Sequence, residues 1–137
     1  MAARRDILAA LAQVRHLESG LARRQLAEDA DRLTAAGIRA ETADAALRTE
    51  QAAGAPADYA AWVGKGLAER ERTALGVAHA AERHGQARAA LTAARVAERC
   101  IERLREDCAS AERTRHLRKA QAATDDAAGR RFGADRP

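Results

Sequence analysis

Apolar residues recur at helical steps along most of the chain. Ile7, Leu11, Val14, Leu17 and Leu21 follow one another at intervals of three and four, the spacing that lines one stripe of an α-helix. Leu26, Leu33, Ala40 and Leu47 then stand seven residues apart. The two registers do not match across residues 21–26, which predicts a local stutter within one helix. Farther along, Ala87, Ala90, Ala94, Ala97, Ile101, Leu104, Cys108 and Ala111 form a second seam of alternating steps of three and four. This is coiled-coil periodicity with small residues in the seam, which lets helix axes come close. Gly20, Gly37, Gly76 and Gly85 interrupt the pattern, each costing up to ~1 kcal/mol against alanine and leaving the helices locally soft.

The strongest punctuation is the stretch QAAGAPADYAAWVGKG, residues 51–66, which holds the internal Pro56 together with Gly54, Gly64 and Gly66. Proline cannot continue a helix without losing a backbone bond, and it pushes the preceding Ala55 toward extended geometry. Asp58 is placed to cap a short turn carrying Tyr59 and Trp62, and Gly64 and Gly66 are expected to break or kink that turn. A first arm of about residues 3–52, a bend at 53–66, a second arm of about 67–128 and a tail at 129–137 follow. At 1.5 Å per residue the arms would be ~75 and ~90 Å long. Two arrangements fit: an antiparallel hairpin, or one bent rod that dimerises. The turn residues favour the hairpin, a single elongated domain with Leu33, Leu47, Ile101, Leu104 and Cys108 packed between the arms.

Composition supports the all-α reading. Of 137 residues 39 are alanine, and Tyr59, Trp62 and Phe132 are the aromatics. Large aliphatic and aromatic side chains supply most of the burial that drives globular collapse, at ~25 cal/mol per Å². Such a chain is poorly stocked for a globule but well stocked for helices, which satisfy their own backbone and bury only a stripe. The net charge of +4 combines 24 basic with 20 acidic residues, the mixture expected of solvated helix faces laced with i,i+4 pairs. The basic residues are arginines except for Lys65 and Lys119. Cys100 and Cys108 stand eight residues apart on one helix. Their Cα atoms would be ~12 Å apart, too far for a disulfide, and both read as small buried apolar residues compatible with a reducing cytoplasm. Gln13, Arg15 and His16 interrupt the N-terminal apolar run, which argues against a signal peptide. No apolar run approaches the ~20 residues of a bilayer span.

Catalytic patterns are missing. The GKG at 64–66 lacks the glycine spacing and hydroxyl of a phosphate-binding loop. The histidines His16, His79, His84 and His116 do not fall at i,i+4 spacing, and His79 with Glu82 alone does not make a metal site. Serine and cysteine contexts show no activated nucleophile, and a two-helix rod encloses no pocket. The expectation is a protein that is not an enzyme, with no cofactor and no metal. The clusters Arg113–Arg115–Arg118–Lys119 and Arg130–Arg131 are dispersed among acids and lack interleaved aromatics, which disfavours nucleic acid as a partner.

The stretch RKAQAATDDAAGRRF, residues 118–132, is more ordered than a fraying tail requires. Together with two helical arms and a slightly basic, mixed-charge surface, it resembles the flagellar FliJ family and its injectisome relatives of the YscO type. That family commonly carries an arginine-rich approach, a Gln-Lys-x-x-Asp-Glu core, a nearby alanine and closing arginines. Arg118 matches the approach, Gln121 the glutamine and Asp125 the aspartate. Asp126 stands in for the glutamate, and Ala128 with Arg130 or Arg131 completes the pattern. Ala122 replaces the usual lysine, which removes any contact that depended on that charge. The resemblance implies a cytoplasmic type III export component, held at the membrane face only through the apparatus. Its tail would engage the pore of the hexameric export ATPase, with further contacts to the cytoplasmic domain of the export gate and to export chaperones. A generic coiled-coil scaffold or chaperone and a basic nucleic-acid-associated helical protein are the competing readings.

Overall fold

The computed structural model describes residues 2–53 and 56–134, with side chains described for residues 3–52 and 57–130. They form two helices, α1 (Ala2–Ala53) and α2 (Pro56–Ala134), and no strand occurs among the described residues. The helices pack on each other. Contacts divide the chain into two units, one of residues 16–96 and one joining 1–15 to 97–137.

The break between the helices is shorter than the sequence suggests. Pro56 opens α2, where a missing N–H costs nothing because the first helical amides have no intrahelical partner. Tyr59, Trp62, Gly64 and Gly66 therefore lie inside α2 and not in a bend, while Gly54 lies outside the described residues. Asp58 stands in the first turn of α2, where its charge complements the helix dipole. The helix also runs on through the expected tail as far as Ala134. Alanine, leucine, arginine and glutamate on either side outweigh about 1 kcal/mol per glycine. Threonines at 34, 42, 49, 92, 114 and 124 return their hydroxyls to the carbonyl four residues back, which accommodates them within a helix.

In the 16–96 unit, the less exposed residues of α1 step through Ser19, Ala22, Leu26, Asp29, Leu33, Ala36, Ala40, Ala43 and Leu47. On α2 they step through Gly66, Thr73, Val77, Ala80, His84, Ala87, Leu91 and Ala94. Asp29 meets Arg83, Asp44 meets Arg70, and Leu47 meets Gly66, so the partner's number falls as the first rises. No stutter occurs at residues 21–26, because the stripe passes from Ser19 through Ala22 to Leu26 in one register. Leu17 and Leu21, expected on the seam, are exposed. Ser19 takes the inward position instead, 1% exposed and with no hydrogen-bond partner for its Oγ.

In the other unit, Leu8, Leu11, Ala12 and Arg15 of α1 are half-buried, as are Ala97, Glu98, Ile101, Cys108 and Glu112 of α2. Arg5 pairs with Glu112. Ile7 and Val14 face solvent, and so does Leu104 at 50% exposure. Cys100 is also exposed, contrary to expectation, because it falls one position short of Ile101 on the stripe.

Gly66 has a packing role. A Cβ built there would meet the Trp62 ring at 2.7 Å and Leu47 Cδ2 at 2.9 Å, so α1 approaches α2 across a missing side chain. Gly76 has nothing within 4 Å of the same position.

Two predictions follow from this stripe. Leu91 is 7% exposed, so Leu91→Ala should lower stability by about 2–3 kcal/mol, whereas Leu104→Ala should cost less than about 1 kcal/mol. Equal losses in urea denaturation would show that the stripe is wrongly placed. Gly76→Ala should stabilise by about 1 kcal/mol through helix propensity alone. Gly66→Ala should instead destabilise by about 1–3 kcal/mol through overpacking, and a rise in Tm for this variant would contradict the close approach.

Candidate partner-binding surface

The six residues singled out in the sequence lie on the last stretch of α2. Arg118, Gln121, Asp125, Asp126 and Arg130 are all exposed, and the side chain of Arg131 lies outside the described residues. Local bonds order part of the group. Gln121 Nε2 donates to Asp125 Oδ1 at 2.9 Å, and Arg130 Nε donates to the Asp126 carbonyl oxygen at 3.2 Å. Both are single-turn contacts along one helix, so they fix side-chain direction without burying anything.

The setting of this group is the informative feature. Arg5, near the start of α1, pairs with Glu112, and every side chain of α2 from Arg113 to Arg130 is exposed. Beyond Glu112, α2 therefore carries no packed face among the described residues. Leu117, 71% exposed, is its one large apolar side chain among the described residues. An ordinary amphipathic helix left in water would be expected to show a mixed surface. Instead, residues 1–112 hold 17 basic and 17 acidic side chains, whereas residues 113–137 hold seven and three. The whole net charge of the protein sits on residues 113–137.

Within that end, Arg113, Arg115, Arg118 and Lys119 crowd into seven residues that contain no acid. Among the described residues, none of these four makes an ion pair within the chain. Arg115 lines a small recess with Arg4, Arg5 and Glu112, so the cluster begins where α1 begins. The first turn of α1 carries no acidic side chain, which leaves the positive end of its dipole uncompensated by its own residues.

A second polar group lies in the 16–96 unit. Asp29 is buried at 4% exposure. Its carboxylate accepts from Gln25 Nε2 at 2.9 Å and Arg32 Nη1 at 2.8 Å, and Arg83 of α2 stands 3.5 Å away. The Gln25 hydrogen bond, then that from Arg32 and the charges of Arg83 and Arg32, hold its pKa below the ordinary carboxylate value, against the upward push of burial. Every partner is accounted for within the chain, so this group locks the helix pair. Among the described residues no group of three or more His, Cys, Asp or Glu is placed to hold a metal ion. Among the described residues, no helix is long and apolar enough to cross a membrane.

The cluster at 113–119 was visible in the sequence, but its isolation was not, since that depends on where α1 starts relative to α2. No protein-family model, curated protein or solved structure matches the chain.

Because Asp29 is held ionised by the fold, its contribution is present above the ordinary carboxylate range and is lost as pH falls through its lowered value. Asp29→Asn should therefore flatten the acid limb of stability as pH falls through and below the ordinary carboxylate range. Parallel urea titrations of wild type and variant with the same pH dependence would remove Asp29 from that role.

Proposed function

We propose that this chain is a non-enzymatic central-stalk and adaptor component of a type III protein export apparatus. In this reading α1 and α2 form an antiparallel coiled-coil hairpin, which the falling partner numbers of Asp29–Arg83 and Asp44–Arg70 support. The unpaired end of α2 enters the pore of the hexameric export ATPase. The paired region reaches the cytoplasmic domain of the export gate and, in some settings, export chaperones. The protein works in the cytoplasm, meets the membrane only through the apparatus, and uses neither cofactor nor nucleic acid.

The observation that carries this reading is the combination at residues 113–130: a continuous helix, exposed on every side, holding five basic against two acidic side chains, most of the protein's basic excess, and the Gln121–Asp125–Asp126–Arg130 pattern. A helix that is polar all round either bridges to something else or owes its order to a neighbour. A ring pore would surround it with polar contacts. The second reading, a coiled-coil scaffold or chaperone without an ATPase partner, draws on Leu17, Leu21 and Ile38, which face solvent in the 16–96 unit and offer apolar contact to another protein.

The test replaces Gln121, Asp125, Arg130 and Arg131 with alanine in the full chain. Exposed polar residues contribute within about ±0.5 kcal/mol to folding, so helicity and Tm should be unchanged. Binding to the hexameric export ATPase should weaken by about 2–5 kcal/mol, as expected when desolvated polar partners are removed. Unaltered binding by the quadruple variant would return these residues to the status of a solvated helix end.

A further inference from the structure

We propose that the unpaired end of α2 is read by the order of its charges, and that its partner is a protein sleeve with acidic, basic and acidic bands in matching sequence. The proposal rests on the export reading given above and names the chemistry that the enclosing surface must present.

Three bands lie along the exposed helix. The first holds Arg113, Arg115, Arg118 and Lys119, the second Asp125 and Asp126, and the third opens at Arg130. At 1.5 Å per residue their centres are separated by ~14 Å and then ~8 Å. The first band encircles the helix. With 3.6 residues per turn, Arg118, Arg115 and Lys119 stand at about 140°, 200° and 240° from Arg113 around the axis. A flat partner could reach one side of such a band and would leave the rest unpaired. A surrounding partner reaches all of it.

These charges are also unspent within the chain. Arg115 has Arg118 and Lys119 at the helical steps of three and four ahead of it, where like charges repel, and Glu112, already paired with Arg5, three residues behind it. The remaining positions at those steps from Arg113, Arg118 and Lys119 carry no acid. Arg4, at the start of α1, lines the same recess as Arg115, while Arg5 there is paired with Glu112.

The acidic band separates a protein partner from a uniform polyanion. Phosphate backbones and anionic lipid surfaces reward every basic residue and penalise every acid. Asp125 and Asp126, placed between two basic bands and exposed, would repel both kinds of surface. Against a protein they are an asset, because alternation of sign fixes axial register and rejects misplaced partners.

The experiment uses the full chain and three variants: R113E/R115E/R118E/K119E, D125K/D126K, and the charge-keeping R113K/R115K/R118K. Binding to the hexameric export ATPase is measured at about 50 and 200 mM salt, with short duplex DNA as a parallel probe. Circular dichroism establishes that each variant remains helical. The four-site reversal should weaken ATPase binding about a hundredfold, D125K/D126K about tenfold, and the lysine set little. Wild type should prefer the ATPase to DNA. Tighter ATPase binding by D125K/D126K, or DNA binding as strong as ATPase binding, would overturn the banded sleeve in favour of a uniform polyanion. ATPase binding indifferent to both reversals would overturn the bands while leaving the export reading intact. A wild-type chain that does not bind the ATPase would remove the export reading, and the sleeve with it. If the four-site reversal loses helicity, single R118E and D126K variants carry the same comparison.

Discussion

The seam between the helices is built from side chains too small to bury much, and that shortage sets the terms for the rest of the structure. Ala36 and Ala87 are among its few buried apolar residues, with Leu91 the largest. Each layer removes little apolar area from water, at ~25 cal/mol per Å², so pairing must be repeated over many turns to offset the ordering of the chain. Small seam residues make that repetition effective by letting backbones come close. At Gly66 the approach reaches its limit, since Trp62 and Leu47 already occupy the space a Cβ would take. Length and closeness replace bulk.

A seam of near-identical alanines has a weakness: it tolerates slippage, because a shift by one heptad exchanges one alanine for another. Polar residues at inward positions answer this. Asp29 can reach Gln25, Arg32 and Arg83 together only in one register, and the Asp44–Arg70 pair at 2.9 Å repeats the constraint farther along the same unit. Burying a carboxylate is expensive unless it is fully partnered. A slipped pairing would take Arg83 from Asp29 and leave the buried carboxylate only Gln25 and Arg32 of its own helix, so the penalty falls on the wrong alignments. This is the role that buried polar residues play best in coiled coils.

The helical character of the chain was legible from composition and period, and so was one line of each stripe. Leu26, Leu33, Ala40 and Leu47 lie on it in α1, and Ala87, Ala94, Ile101 and Cys108 in α2. The second line was not legible, because polar or small residues fill it. In α1 it runs through Ala22, Asp29, Ala36 and Ala43; in α2 it includes His84, Leu91, Glu98 and Glu112. A search for apolar residues therefore slides one position to take in Ala90, Leu104 and Ala111, which are apolar but exposed. The same bias promoted Leu17 and Leu21 over Ser19. Pro56 was read as a helix breaker when its position makes it a helix opener. The residues of the candidate surface were found because charge and spacing are visible in one dimension. Their exposure along α2 was not, because it depends on a second helix ending elsewhere.

The stretch of α2 beyond Glu112 has one more consequence. A single helix of that length would scarcely form alone in water, since closing its first turn is unfavourable. Here the turn is already closed by the paired part of α2, and the stretch only has to propagate from it. Its order is thus borrowed from one end and should decay toward the other, as fraying proceeds from the side that has no template. Amide protons near Arg113 would exchange slowly and those near Arg130 quickly, a gradient along one continuous helix. A partner that gripped the far end would abolish the gradient, turning a helix held at one end into one held at both.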